Sequence, residues 1–237
     1  MENEQLYKHF VITRFNIRAN YGCTLRNPDN NPMKRILDED YLNERFHIFE
    51  KYTLPSMKSQ TNQNFTWLIL FHQNTPNIFK KRIQELKDEF NFIDLYFDDE
   101  EKFSFLEYCN NQGENIDYFI TSRIDNDDMF SNEYIDRVQE YANRHLHECI
   151  LSFSKGLKYD LSSNKQYEYE RNDNHFLSMI GKNGECILQY NHAKIFDSGK
   201  EIIMLDSDKP MWTEIIHESN VTNRIKEQDK EIEEQEI

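Results

Sequence analysis

Four strand-sized apolar runs, at residues 10–13, 67–71, 92–97 and 118–124, alternate with stretches whose apolar residues recur at helical spacing. That alternation constrains the fold more than any other feature. Two strands joined through a helix pair in parallel, because the chain must cross over the sheet to return. The fold class is therefore α/β: a Rossmann-like, mainly parallel sheet flanked by helices. The first helix starts at Asp40, carries Leu42, Phe46, Phe49 and Tyr52 on one face, and is stopped or bent by Pro55. Thr75-Pro76 opens the next, with Phe79, Ile83, Leu86 and Phe90 inward. Residues 100–112 form a third, and Ser131 caps a fourth carrying Tyr134, Val138, Tyr141 and Ala142.

After residue 148 the rhythm changes. Short segments at 149–155, 165–170, 176–180, 185–190 and 201–205 lie between polar turns, which reads as a mixed or antiparallel C-terminal extension. Pro210 opens a last helix with Trp212, Ile215, Ile216 and Ser219 along one side. Residues 14–40, Asn-rich with Pro28 and Pro32, read as a surface loop. Residues 224–237 are charge-dense and read as a fraying, disposable tail.

Composition narrows the function. Lys plus Arg number 28 against 43 Asp plus Glu, a net charge of −15, which excludes clamping nucleic acid by neutralising its phosphates. No run approaches the roughly 20 apolar residues of a spanning helix, so no integral membrane segment is expected. The acidic N-terminus shows no signal peptide, and Cys23, Cys109, Cys149 and Cys186 are too scattered for a metal or disulfide framework. These features point to a cytoplasmic protein with reduced thiols.

The segment richest in chemistry is Arg123-Ile124-Asp125-Asn126-Asp127-Asp128. Three carboxylates in four residues repel one another unless a cation sits among them, and Mn²⁺ or Mg²⁺ accepts such oxygen ligands. They follow a strand at its carboxyl end, where open α/β sheets bind ligands. The plain alternative is an acidic turn before the next helix. Thr13-Arg14-Phe15-Asn16 ends the first strand, where Arg14 and Arg18 with an exposed Phe15 suit a diphosphate and a base. Glu214 and His217 fall at i, i+3 if residues 211–219 are helical. His192 or His217 could then complete a metal shell and a carboxylate serve as base. Gly-rich phosphate loops of either common type are absent, which argues against dinucleotide oxidoreductases and P-loop NTPases.

In order along the chain, Thr13-Arg14-Phe15-Asn16, Leu54-Pro55-Ser56…Gln60-Thr61…Phe65-Thr66-Trp67, Thr75-Pro76, Arg123…Asp128, and Met211-Trp212…His217…Asn220 form a pattern. It resembles the rhamnosyltransferase family among the family-2-like GT-A glycosyltransferases, over about residues 10–224. The resemblance implies a single domain over 1–223, with a donor-binding half at about 8–130 and an acceptor-side half at 131–223. It implies transfer of a sugar, rhamnose by the family's name, from a nucleoside diphosphate sugar to an acceptor hydroxyl with inversion. Asp125 and Asp127 would hold Mn²⁺ or Mg²⁺, helped by His192 or His217, with Asp128 behind them. Thr13, Arg14, Phe15, Asn16, Arg123, Asp125 and Trp212 would contact the donor. The family's usual glutamate after the Ser178-Met179-Ile180 segment is missing, so the base stays open between Glu214 and Glu185, with His217 beside Glu214. The acceptor would be a glycan or lipid-linked saccharide, bringing the protein to a membrane surface without an anchor. Two other readings use the same acids: a metal-dependent phosphohydrolase or nucleotidyltransferase, and a non-catalytic nucleotide-sugar-binding module.

Overall fold

The computed structural model describes residues 6–17, 36–98, 103–113, 116–218, 220, 223–227 and 229–232. Cys23, Arg18, Pro28, Pro32 and most of the acidic run after Asp98 lie outside them. The elements run β1 (Tyr7–Arg14), α1 (Glu39–Ile48), α2 (Leu54–Lys58), β2 (Thr66–His72), α3 (Asn77–Glu89) and β3 (Ile93–Asp98). Then follow α4 (Phe105–Asn111), β4 (Tyr118–Arg123), β5 (Met129–Phe130), α5 (Tyr134–Arg144), β6 (Cys149–Ser152) and β7 (Lys155–Asp160). The chain closes with β8 (Lys165–Glu170), β9 (Leu177–Lys182), β10 (Ile202–Met204), β11 (Trp212–Ile216) and β12 (Lys230–Ile232).

Seven strands form the main sheet in the order β10-β6-β9-β4-β1-β2-β3. All are parallel to β1 except β9, which runs antiparallel to both β4 and β6. The expected mainly parallel α/β sheet is thus present, and the carboxyl ends of β1, β2 and β4 emerge along one edge. Side chains alternate across the strands. Val11, Trp67 and Ile69 pack with α1, α2, α3 and α5 on one face, while Phe10, Ile12, Leu68 and Leu70 meet α4 on the other.

Phe15, Phe46, Phe49 and Phe71 knit the first face together, with Phe15 centroids 4.5, 5.3 and 4.8 Å from the other three. Phe15 is only 4% exposed. It is a core residue and offers no open face to a base, contrary to the sequence expectation. Pro55 does not end the first helix. Its missing N–H and crowded ring are absorbed by a widened π-helical turn over Phe49–Thr53, closed by the Leu54 N–H on the Phe49 carbonyl, and the chain continues into α2. Neither expected hydroxyl cap forms: the Thr75 hydroxyl donates to the His72 carbonyl, and that of Ser131 to Met211 Sδ.

Segments 149–155, 176–180 and 201–205, expected in a C-terminal extension, give β6, β9 and β10 of the main sheet, while a second, mixed sheet runs β12-β8-β7-β11-β5. It corrects three details. Residues 212–216 form strand β11, pairing β7 and β5, where a helix was expected; Trp, Thr and Ile favour strands, and burial on both faces removes the alternation that would betray one. Residues 187–189 are a 3₁₀ turn rather than a strand. The charged end is not loose over its described part: β12 pairs β8, and Asp229 meets the buried Lys158 ammonium at 2.7 Å. At Gly156 a Cβ would fall 2.2 Å from the Trp212 ring, so β7 and β11 can lie this close only with glycine there.

A polar chain crosses the helix-covered face of the sheet. Gln139 and Ser122 contact the two ring nitrogens of His9 at 3.2 and 2.8 Å, and Ser122, Ser178 and Tyr134 continue the line. Burial lowers the His9 pKa to about 3. The unfolded chain therefore protonates first, near the ordinary value of about 6.5, and stability contributed by neutral His9 above that pH is lost as pH falls. Between pH 7.5 and 5.5 the wild type should lose about 1.4 kcal/mol more unfolding free energy than His9→Gln. Parallel losses in urea titrations at the two pH values would show that His9 is not held neutral.

Candidate functional site

The site is built on the turn joining the two sheets. Ile124, fully buried just beyond β4, donates its N–H to the Ile12 carbonyl and accepts the Thr13 hydroxyl at 3.0 Å. The Asp128 N–H closes the turn on the Asp125 carbonyl, and the Asn126 amide donates to the Phe15 carbonyl at 2.9 Å. The chain then enters β5, which pairs with β11. Apolar anchoring on both sides thus forces the three carboxylates into one small volume, at the carboxyl edge of the main sheet.

Each carboxylate has different partners. Arg123 grips Asp125 at 3.1 Å from both oxygens; burial works against ionisation, but the charges of Arg123, His175 and Arg14 outweigh it and hold the carboxyl far below its usual range. Asp127 receives Arg45 at 2.9 Å, His217 Nε2 at 2.9 Å and the Asn220 amide at 3.4 Å. Burial opposes its ionisation too, yet Arg45 and the His217 bond keep its pKa low. Asp128 is enclosed: Oδ1 accepts the Ile215 N–H at 3.0 Å, and Oδ2 lies 2.7 Å from His175 Nε2. Burial and the Asp127 charge push its pKa up to about 7 against the pull of His175. His175 is itself raised, its contact with Asp128 outweighing burial.

One ligand atom each from Asp125, Asp128 and His175 lies within 4.8 Å of the others, a set able to hold a metal ion. Two carboxylate oxygens and an imidazole nitrogen suit a divalent ion such as Mn²⁺. The charge fits as well. Burial and the neighbouring Asp127 charge raise the Asp128 pKa, a cost that a cation beside it would offset. The trio shares only Asp125 with the expected ligand set of Asp125, Asp127, His192 and His217. Asp127 and His217 are engaged with each other and with Arg45. Nothing in the sequence singled out His175, an isolated histidine in the polar turn 171–176, or Arg45, one cation on an apolar helix face.

Beside His175 opens a pocket of about 220 Å³, walled by Tyr169, Arg171, His192, Trp212 and Glu214 among others. The His192 ring centre is 5.8 Å from that of His175, and burial together with the charges of Arg123 and His175 lowers its pKa to about 4. It is a neutral donor and acceptor at the pocket wall. Glu214 also faces the pocket, its pKa raised by burial. It does not stand beside His217 on a helix, because residues 212–216 form a strand, where successive side chains point to opposite faces.

The remaining expected residues lie elsewhere. Glu185 sits past the end of β9 that pairs with Tyr118, where the parallel strands begin, bonded to Tyr190 and to Lys200 at 2.8 Å. The strand register thus separates it from the carboxylates by the length of β4. Thr13 is fully buried between Trp67 Nε1 and the Ile124 carbonyl, and Asn16 ties the ends of β1 and β2 through the His72 N–H and Thr75. Both are scaffolding under the turn. Trp212 is enclosed, donating to the Phe153 carbonyl at 2.8 Å and stacking on Phe176 at 4.6 Å, so it backs the pocket.

The model of the family described as "Putative rhamnosyl transferase" matches residues 8–229 of the 237. The chain belongs to this family. Membership places it among the glycosyltransferases, in accord with the resemblance of its motifs. No curated protein sequence matches the chain. It is similar in structure to residues 1–349 of S. aureus TarS in complex with UDP-GlcNAc, at 13% identity and TM-score 0.46, over 92% of this chain and 62% of that one. The UDP complex of the same fragment gives 14% and 0.43, over 88% and 60%. HddC from Yersinia pseudotuberculosis gives 14% and 0.30, over 88% and 89%. The chain spans about three fifths of the TarS fragment, and likenesses this low carry no argument about activity.

In this transferase family member, Arg45 is the counter-charge on which ionised Asp127 depends. Arg45→Met should cost about 3 kcal/mol at pH 8, because a buried carboxylate loses its guanidinium counter-charge. The deficit should shrink by pH 5, where Asp127 can take up a proton. Equal deficits at both pH values, measured by chemical denaturation, would remove Arg45 from that role.

Proposed function

We propose that the chain is a metal-dependent glycosyltransferase that moves a sugar from a nucleoside diphosphate sugar to an acceptor hydroxyl with inversion. Rhamnose is the sugar suggested by the family's description. The observation carrying this reading is the Asp125, Asp128 and His175 trio, beside a pocket at the carboxyl edge of the parallel sheet. These three residues are the proposed Mn²⁺ or Mg²⁺ ligands. A divalent ion bound there supplies neutralisation of the charge that gathers on the nucleoside diphosphate as it departs.

The protein's own groups do the rest. Arg14 and Arg123, both acting on Asp125, lie where diphosphate oxygens would be met by guanidinium donors. The pocket receives the sugar, with neutral His192 and the Tyr169 and Trp212 rings at its walls. Glu214 is the proposed general base. Burial raises its proton affinity, and it faces the same pocket from the strand opposite His192. The acceptor oxygen forms the new bond to the anomeric carbon as the bond to the diphosphate breaks, and its proton passes to Glu214. The acceptor is proposed to be a glycan or lipid-linked saccharide. Among the described residues no helix is long and apolar enough to cross a membrane.

Mn²⁺ with a matching nucleoside diphosphate should raise the melting temperature, since a ligand at about 100 times its Kd adds about 2.7 kcal/mol. His175→Ala and Asp128→Asn should lose both the Mn²⁺-dependent shift and donor turnover, while His217→Asn keeps the shift. Glu214→Gln should keep the shift and lose at least a hundredfold in transfer. A shift that survives in His175→Ala and disappears in His217→Asn contradicts this ligand assignment.

A further inference from the structure

Lys158 lies on β7 with its side chain 2% exposed, so its charge must be answered inside the protein. Three groups answer it. Asp229 Oδ2 is 2.7 Å away, the Arg224 carbonyl 3.3 Å, and the Tyr169 ring centre 4.0 Å. Asp229 Oδ2 also accepts the Lys226 N–H at 2.9 Å, so residues 224 and 229 meet the ammonium and residue 226 is tied to it through the Asp229 carboxylate. At the near end of the same stretch, the Asn220 carboxamide accepts the His217 N–H at 2.6 Å and reaches Asp127 Oδ2 at 3.4 Å. Asn223, between these ends, lines the pocket.

Lys158 is also linked to the site through two of its lining residues. It is the cross-strand partner of Glu214, on the same face of the second sheet, and it supports from behind the Tyr169 ring whose hydroxyl receives Arg171 at 3.2 Å. A buried ion pair adds little net stability compared with apolar residues of similar volume; its distinctive contribution here is geometric.

We propose that Lys158 and Asp229 are positioning residues of the transferase site, a clamp that holds residues 223–227 and 229 against the second sheet, with Asn223 at the pocket, and sets Tyr169 and Glu214 in its wall. This rests on the glycosyltransferase reading for its consequence in turnover, though not for the clamp itself. The clamp touches neither the metal trio nor the reacting atoms.

The test is the double variant Lys158→Met/Asp229→Leu, with Asp229→Asn as a shape-conserving second. The double variant should melt within a few degrees of wild type or above it. Hydrogen exchange at 223–227 and 229–232 should quicken at least tenfold, with β7 and β11 protection unchanged. Affinity for Mn²⁺ plus UDP or dTDP should stay within twofold, while hydrolysis of whichever UDP-, GDP- or dTDP-linked sugar the wild type turns over should fall at least tenfold. Asp229→Asn should lie between. Unchanged exchange in that stretch overturns the clamp, and quickened exchange with wild-type turnover overturns its positioning role. If the wild type neither binds Mn²⁺ nor hydrolyses any donor, the proposed function falls, and the exchange result still decides the clamp.

Discussion

Crowding of three carboxylates in one turn is the constraint from which the architecture of the site follows. Asp125, Asp127 and Asp128 cannot all ionise in so small a buried volume without compensation, and the protein draws that compensation from three different directions. Arg123 comes from the strand just before the turn, Arg45 from α1, and His175 from the turn that precedes β9. Each is a long-range contact except the first. Folding the parallel half and folding the second sheet are therefore coupled at these aspartates, which no single element could hold alone.

The division of partners also separates roles. Asp127, bonded to Arg45, His217 and Asn220, ties the first helix to residues 217 and 220. Asp125 keeps its side chain 35% exposed, and Asp128 meets His175, which lines the pocket. A proton-hungry carboxylate next to an imidazole, beside a polar cavity with aromatic backing, is chemistry suited to a cation and a sugar. The family to which the chain belongs points the same way.

Sequence and structure agree where physics leaves a strong signature. Strands β1, β2 and β4 are largely buried on both faces and read as continuous apolar runs, and α3 shows its face at Phe79 and Ile83. The turn at Asp125 was legible because like charges in sequence are like charges in space. The second sheet was harder. Trp212, Ile215 and Ile216 sit at spacings a helix would also use, and only pairing with β5 and β7 makes them a strand. Phe15 looked like a surface aromatic beside two arginines, yet the aromatic cluster around Phe46 claims it. His175 and Arg45 are single residues far from the aspartates in sequence, so only tertiary closure reveals them. Asp229 was hidden in a charge-dense end where its partner, Lys158, lies 71 residues away.

The most direct test of the central claim is anomalous diffraction at the manganese edge from crystals grown with Mn²⁺ and a nucleoside diphosphate. The account predicts one peak bounded by Asp125, Asp128 and His175, with ligand distances of about 2.1 Å. A peak between Asp127 and His217 instead, with the trio empty, would contradict it.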